Sequence, residues 1–488
     1  MLLKDLLKHI GINHEGNEVI NNLVENSRVA KENDLFVAIK GENVDSHIFI
    51  DDVLKRGSFV VAQKGLYHKS SERVFFIDNS KRGLAVLSKY YFGCPDEKLF
   101  IIGITGTNGK TTTTYMIKSI LDTYGVSTGI IGTIKYIIGD EEIKAKNTTP
   151  GPYQIYSILS KMVDKGLKAC AMEISSHSLA MERVYSLDID VAVFTNITQD
   201  HLDFHKTREE YFNSKVLIFD LLEKSKKSNK LAVYNADIPE ADIIREYIKK
   251  FNFDVLTYGI NKGDIRAKIR GLEINHNKFT ICFDNKELLM DIPMLGRFNV
   301  YNTLASFASV KHKIDPEILP KALKAISVNG RFESITTSLG FVVIIDYAHT
   351  PDALKNVLET ALEIKPVNII TVFGAGGDRD KTKRPLMGEV VSKLSNYSII
   401  TSDNPRSEEP LSIIKDIEKG MVNKNYSIEI DRETAIKKAI YMAEEGDLVL
   451  IAGKGHEDYQ IIGDKTLYFS DKEVAIKYIK ERENNARV

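Results

Sequence analysis

The chain has 488 residues, room for about three domains, and 43% of them are hydrophobic, enough to bury ordinary globular cores. Its 66 basic and 67 acidic residues nearly cancel, which argues against nucleic acid or an anionic membrane as the main partner. Three widely spaced cysteines, Cys94, Cys170 and Cys282, make neither a metal-ligand spacing nor a disulfide framework, and no run of about 18 apolar residues offers a membrane span. A cytoplasmic protein without membrane insertion is expected.

Met1 to Ile10 sets Lys4, Asp5, Lys8 and His9 among leucines and reads as a short amphipathic helix, not a signal peptide. Gly93-Cys94-Pro95-Asp96 is a turn signal and a candidate domain boundary. The apolar run Leu99 to Ile104 then feeds Gly106-Thr107-Asn108-Gly109-Lys110-Thr111-Thr112. Thr113 to Leu121 follows as a helix with Met116, Ile117, Ile120 and Leu121 on one face. Strand, glycine turn, Lys-Thr and helix form the arrangement that cradles nucleotide phosphates. Backbone N–H groups converge on the anion, Lys110 reaches the β/γ oxygens, and the Thr111 hydroxyl suits Mg²⁺. The general P-loop spacing requires glycine where Ile104 stands, so the signal is the tighter string from Gly106 to Thr111.

Leu167 to Met172 predicts a buried strand ending in Glu173-Ile174-Ser175-Ser176-His177. Val191 to Phe194 repeats the pattern, ending in Thr195-Asn196 ahead of Asp200-His201-Leu202-Asp203-Phe204-His205. Acidic residues at strand ends in a P-loop domain are where Mg²⁺ ligands belong, although one such carboxylate could equally cap a helix. Lys215, one turn after Tyr211, reads by itself as a helix-surface lysine. Asn299 and Asn302, before an apolar helix, read as caps; an amide can also read adenine. A second boundary falls near Asn329-Gly330-Arg331.

In the last third, four apolar runs each end in polar or glycine-rich residues. They are Phe341–Ile345 before Asp346, Asn368–Phe373 before Gly374–Arg379, Tyr397–Thr401 before Asp403–Arg406, and Leu448–Ile451 before Gly453–Glu457. Ligands in open α/β sheets bind outside the carboxyl ends of strands, so these ends are expected to share one site. Arg379, Asn404, Arg406 and Glu457 together suit a zwitterionic, amino-acid-like ligand, the alternative being a surface salt-bridge network. The alternation of strands and helices predicts an α/β fold with largely parallel sheets.

Nine strings occur in order: GTNGKTT at Gly106, NTTP at Asn147, MEISSH at Met172, FTNITQDHLDFH at Phe194, YFNSK at Tyr211, DYAHTPDAL at Asp346, FGAGGDRDKTKRPLM at Phe373, DNPR at Asp403 and GKGHE at Gly453. With them the chain resembles the Mur ligases from about residue 24 to residue 460. The resemblance implies three domains: residues 1–97 for the UDP end of the substrate, a central P-loop ATPase domain over 98–330, and a Rossmann-like amino-acid domain over 331–488. It implies ATP-driven amide formation in peptidoglycan synthesis through an acyl phosphate, by a monomer. It implies two Mg²⁺ sites held by Thr111, Glu173, His201 and Lys215, the last as a carbamate formed with carbon dioxide. This reverses the reading of Lys215 taken alone. By the same resemblance, ATP is bound by Gly106, Thr107, Asn108, Gly109, Lys110, Thr111 and Thr112, with Asn299 at adenine, Asp346 at ribose and Arg331 on the phosphate side. Ser27, Asn147, Thr148, Thr149, Ser175 and Arg183 match binders of UDP-MurNAc-L-Ala-D-Glu. Arg379, Asp403, Asn404, Pro405, Arg406, Gly453 and Glu457 form the expected amino-acid pocket.

Members of the family that add meso-diaminopimelate carry DNPR, whereas lysine-adding members depart from it. Arg379 and Arg406 are therefore expected to clamp the carboxylate that lysine lacks. Met181 stands where the family usually has a substrate-binding glutamine, Asn329 replaces a proline, and Ala375 replaces a frequent cysteine. The alternatives are an L-lysine-adding ligase, a folylpolyglutamate synthetase, a P-loop phosphotransferase or ATPase, and a nucleotide-binding regulator.

Overall fold

The computed structural model describes residues 1–41, 44–198, 202–272 and 276–485. His201, one of the expected metal ligands, lies outside the described residues. The chain groups into two compact units, one from residues 1–197, 202–257 and 305–314, the other chiefly from 258–304 and 315 onward.

The first unit opens with a four-stranded parallel sheet, β1 (Leu23–Val24), β2 (Leu35–Val37), β3 (Phe59–Gln63) and β4 (Val74–Ile77), in that order. Leu3, Leu6 and Leu7 of the first helix pack on it with Leu84 and Leu87 from the helix Ser80–Tyr91. The predicted amphipathic helix is thus present as α-helix over Leu3–Leu7 and 3₁₀ turn over Lys8–Ile10. Lys89, on the Ser80–Tyr91 helix, is buried between Asp96, 2.9 Å from its Nζ, and Asp188. A buried ammonium shared by two buried carboxylates ties this sheet to the larger one behind it.

The larger sheet contains β5 (Phe100–Thr105), β6 (Thr128–Ile131), β7 (Lys135–Ile138), β8 (Glu141–Lys144), β9 (Ala169–Glu173), β10 (Val191–Phe194) and β11 (Leu231–Asn235). Their spatial order is β11-β10-β5-β9-β6-β7-β8. From β11 to β6 every pairing is parallel. These strands read as continuous apolar runs because helices cover both faces. The helix Lys110–Thr123 is one of them, and the four residues of its predicted apolar face are buried.

In the second unit, Tyr258 and Gly259 at the end of β12 (Asp254–Gly259) pair in parallel with β13 (Ile265–Leu272). Then β14 (Asn277–Phe283) and β15 (Lys286–Ile292) continue antiparallel. Antiparallel pairs also occur at β6-β7-β8, local exceptions within the largely parallel sheets that the sequence predicts. The cause is turn chemistry. Asp284 and Asn285, between β14 and β15, both have positive φ (45° and 59°), the backbone of a two-residue hairpin.

The remaining sheet holds β16 (Glu333–Thr336), β17 (Val342–Asp346), β18 (Ile369–Phe373), β19 (Tyr397–Ile400), β20 (Tyr426–Ile428) and β21 (Leu448–Ala452). Its order is β16-β17-β21-β18-β19-β20, parallel except at β16. Separate apolar cores line its two faces. The four strands whose ends were expected to share a site are contiguous neighbours, β17-β21-β18-β19. A hairpin, β22 (Tyr459–Ile462) and β23 (Lys465–Tyr468), follows β21.

Candidate active site

In the first unit, β5 delivers the chain to Gly106 and the helix Lys110–Thr123 receives it from Gly109. Gly106 has φ of 147°, and a Cβ there would sit 1.9 Å from Thr195 Oγ1, so the turn requires glycine. The strand end after β10 grips the loop. Thr195 Oγ1 donates to Asn108 O (2.7 Å), Thr107 N donates to Asn196 O (3.0 Å), and Asn108 N donates to Asn196 Oδ1 (2.9 Å). Lys110 folds back, its Nζ donating to Gly106 O (2.8 Å) and Thr107 O (2.9 Å).

Glu173 ends β9 fully buried. Its carboxylate accepts from Thr111 Oγ1 (3.1 Å), Thr133 N (2.8 Å) and Thr133 Oγ1 (2.9 Å). These donors are all neutral, so the anion is solvated but not neutralised within the described residues. A carboxylate and a hydroxyl in contact are hard oxygen donors of the kind Mg²⁺ takes, with substrate phosphates completing its shell. Lys215 is only 1% exposed. Its Nζ donates to Gly106 O at 2.8 Å and lies 4.4 Å from the Tyr211 ring centroid. The surface-lysine reading is therefore corrected: Arg208–Lys224 turns this position inward, onto the P-loop. Tyr211 OH reaches Thr107 Oγ1 at 3.1 Å, a contact that the spacing of the two motifs did not announce.

Beside Glu173 lie most of the residues expected to bind the nucleotide sugar. Thr149 Oγ1 donates to Glu173 O (2.9 Å) and accepts from Ser175 N (3.0 Å), Thr148 Oγ1 meets Thr133 Oγ1 (3.1 Å), and Arg183 Nη1 donates to Thr149 O (3.1 Å). Asn147 accepts from Tyr136 OH through its carbonyl at 2.8 Å. Ser27 sits between β1 and β2, its carbonyl accepting from Arg56 Nη2 at 2.7 Å. Two residues before it, Glu25 reaches toward Gly151. Burial pushes its carboxyl up, and Arg183 pulls it partly back. Met181, in place of the usual glutamine, offers its sulfur to Arg183 Nη2 at 3.4 Å.

The second unit holds the other expected ATP contacts. Asn299 is buried in the helix Arg297–Val310, Nδ2 donating to Leu295 O (2.8 Å) and Oδ1 accepting from Asn302 Nδ2 (3.0 Å). Neither bond is the capping bond that the bare sequence suggests: Nδ2 donates to a carbonyl and Oδ1 accepts from a side chain, not from a backbone N–H. Asp346 accepts from Phe332 N (2.7 Å) and Ala348 N (2.8 Å). Burial raises its carboxyl, with Arg331 opposing. The Arg331 guanidinium stacks 4.9 Å from the Tyr347 ring centroid.

The strand ends β17-β21-β18-β19 bring the amino-acid set together. Asn404 Nδ2 donates to Glu457 Oε2 (3.1 Å), and Arg406 Nη1 donates to Gly377 O (2.8 Å). Arg406 Nε and Nη2 have no protein partner among the described residues. Arg379 is exposed, on the loop that also carries Gly376 and Gly377. Pro405 is buried behind it. Gly453 has φ of 122°, and a Cβ there would lie 2.7 Å from Asp403 Oδ2, so glycine is needed for the two loops to meet. Burial raises the Glu457 carboxyl, and the nearby Asp403 charge adds to this.

Residues 104–310 match the Mur ligase middle domain and residues 330–455 the Mur ligase glutamate ligase domain. The UDP-N-acetylmuramoyl-L-alanyl-D-glutamate–2,6-diaminopimelate ligase of Clostridium tetani is 43% identical over 99% of this chain and 100% of its own. This chain belongs to the Mur ligase family. The corresponding ligase of Bacillus cereus is 44% identical over 96% of each chain. A solved UDP-N-acetylmuramoyl-L-alanyl-D-glutamate–2,6-diaminopimelate ligase, 29% identical, matches 99% of this chain and 100% of its own with a TM-score of 0.74. The MurF ligase of Thermotoga maritima in complex with ADP shares the fold at 22% identity and a TM-score of 0.62, over 95% of this chain and 98% of its own.

In this Mur ligase, several site residues escape motif reading. Thr133 supplies two of the three donors to Glu173, yet stands alone after β6 with no pattern around it. Lys454 and the β22–β23 hairpin support the 403–406 loop; Lys454 lies inside a quoted string, but burial of its charge carries no sequence signature.

Proposed function

We propose that this chain uses ATP to join meso-diaminopimelate to the D-glutamyl carboxylate of UDP-MurNAc-L-Ala-D-Glu, a step of peptidoglycan synthesis in the cytoplasm. The observation that carries this reading is the DNPR loop of a Mur ligase, on which Asn404 donates to Glu457 and Arg406 donates to Gly377 O. Relatives matching nearly full length bear that activity in their names. The reading keeps the expected domains, 1–97 for the UDP end, 98–330 for ATP and 331–488 for the amino acid, in a monomer.

A carboxylate is a poor electrophile, and phosphorylation gives it a leaving group. The P-loop amides, Lys110 and Arg331 hold the phosphate side of ATP, and Asn299 and Asp346 hold the nucleoside. Thr111 and Glu173, with His201 and Lys215 as a carbamate, would hold Mg²⁺ at two sites. Mg²⁺, when bound, offsets repulsion between the carboxylate and the phosphates. Ser27, Asn147, Thr148, Thr149, Ser175 and Arg183 position the UDP-linked dipeptide. An oxygen of the D-glutamyl carboxylate attacks the γ-phosphorus and ADP departs, leaving the acyl phosphate. Arg379, Arg406, Asn404 and Glu457 hold one zwitterionic end of diaminopimelate while the amine at the other end attacks the carbonyl carbon. The tetrahedral adduct collapses, and phosphate leaves with the former carboxylate oxygen.

Labelling the D-glutamyl carboxylate with ¹⁸O tests this route. One ¹⁸O atom appears in each phosphate released during turnover. Unlabelled phosphate would mean hydrolysis by water and would contradict the acyl-phosphate reading.

A further inference from the structure

Lys454, after β21, has no part in the chemistry above, yet its side chain is completely buried. Its Nζ donates to Asn404 Oδ1 (3.0 Å) and to Tyr459 O (2.8 Å) and lies 3.3 Å from Asp403 Oδ1. Two of the ammonium hydrogens thus have acceptors, and Asp403 stands beside it as the counter-charge. Asn404 Oδ1 also accepts from Ile461 N at 3.0 Å. Both groups facing Oδ1 can only donate, and Glu457, facing Nδ2, stands as an acceptor. The amide therefore has one orientation that satisfies its neighbours.

We infer that Lys454 is a positioning residue for amino-acid recognition: it locks the Asn404 side-chain amide so that Nδ2, a donor, faces Glu457 and the pocket. This rests on reading the 403–406 loop as the amino-acid pocket. A flipped amide would put Oδ1 against the Glu457 carboxylate and offer an acceptor where a substrate carboxylate needs a donor. Nδ2 carries a second hydrogen, which is the one available to that carboxylate. Lysine, lacking a second carboxylate, gains nothing from it, so the lock favours diaminopimelate over lysine.

The surroundings hold Lys454 in place. Burial raises the Asp403 carboxyl, but Lys454 and then Arg432 outweigh this and keep it below the usual carboxylate range. Burial lowers Lys454, against the pull of Asp403. The hairpin closes the arrangement from outside. Gln460 Nε2 donates to Asp403 O (2.7 Å), Arg406 N to Ile461 O (3.1 Å), and Gly463 N to Arg406 O (2.7 Å).

The test is steady-state kinetics on full-length Lys454→Met, with Arg406→Ala in parallel. Lys454→Met raises KM for meso-diaminopimelate by about tenfold, leaves KM for ATP within about twofold, and narrows the diaminopimelate-over-lysine ratio of kcat/KM. Should the uncompensated Asp403 charge unfold this variant, Lys454→Met with Asp403→Asn removes that charge and is read in the same way. Asn404→Ala has no amide to orient, so adding Lys454→Met to it costs clearly less than adding it to the parent. Additive costs, or parallel rises in KM for ATP and diaminopimelate, would mark Lys454 as merely structural and overturn the inference. Unchanged KM in Lys454→Met with a raised KM in Arg406→Ala overturns the lock and keeps the pocket. Unchanged KM in both overturns the pocket itself.

Discussion

The P-loop half of this Mur ligase and the half proposed to bind the amino acid hold their charges differently. In the first unit both lysines of the site are spent on the loop itself: Lys110 and Lys215 each donate to Gly106 O. In the second, the charge that organises the pocket is buried behind it as Lys454, Asp403, Arg432 and Asp471. The guanidinium of Arg406 keeps two of its three nitrogens open among the described residues. On the proposed function, the phosphate site exchanges internal hydrogen bonds for ligand bonds, whereas the amino-acid site is built in advance. Preorganisation of that kind lowers the ordering cost of binding and sharpens selection.

The largest test of this contrast is Lys215→Ala. It removes a group that no neighbour can replace, and activity falls by at least about 10²-fold. Millimolar short carboxylates restore part of it if the lysine acts as a carbamate; a complete lack of rescue in phosphate-release assays would contradict that role.

Next in size is Arg406→Lys, or Arg379→Ala. Either raises KM for the amino acid by about 10- to 100-fold, because a carboxylate that loses a guanidinium fork is left poorly paired. KM for ATP stays unchanged. Equal losses for both substrates would erase the division between the halves.

The smallest effect concerns the scaffold behind the pocket. Arg384 is buried and holds Glu408 at 2.8 and 3.0 Å, while Glu408 accepts from Asp378 N at 2.7 Å on the loop that carries Arg379. The Arg384 hydrogen bonds lower the Glu408 carboxyl from 4.5 to about 2. A depressed carboxyl contributes stability above its unfolded value that is lost as pH falls toward its folded value. Glu408→Gln therefore flattens the acid limb of the stability profile between pH 4.5 and about 2, as read by melting temperature against pH. An acid limb identical to the parent's would place the stabilisation elsewhere.

The two halves also differ in how far the sequence exposed them. The β5 strand, the glycine turn and the helix face of Met116, Ile117, Ile120 and Leu121 were legible because buried parallel strands and helix faces leave strong apolar patterns. The convergence of β17, β21, β18 and β19 was legible from their polar carboxyl ends. Asp284-Asn285 specified an antiparallel hairpin that the reading of alternating elements passed over. Lys215 was legible only through family resemblance, since a buried and an exposed lysine on a helix share one local pattern. Thr133 and Lys454 act through contacts between segments far apart in sequence, and spacing within one segment cannot reveal those.

The central claim, ligation of diaminopimelate, is tested most directly by phosphate release from ATP with Mg²⁺ and UDP-MurNAc-L-Ala-D-Glu, adding meso-diaminopimelate or L-lysine in parallel and weighing the product. Release driven by diaminopimelate, with a product heavier by that residue, is the predicted result. Release driven by lysine, or independent of either amino acid, would contradict it.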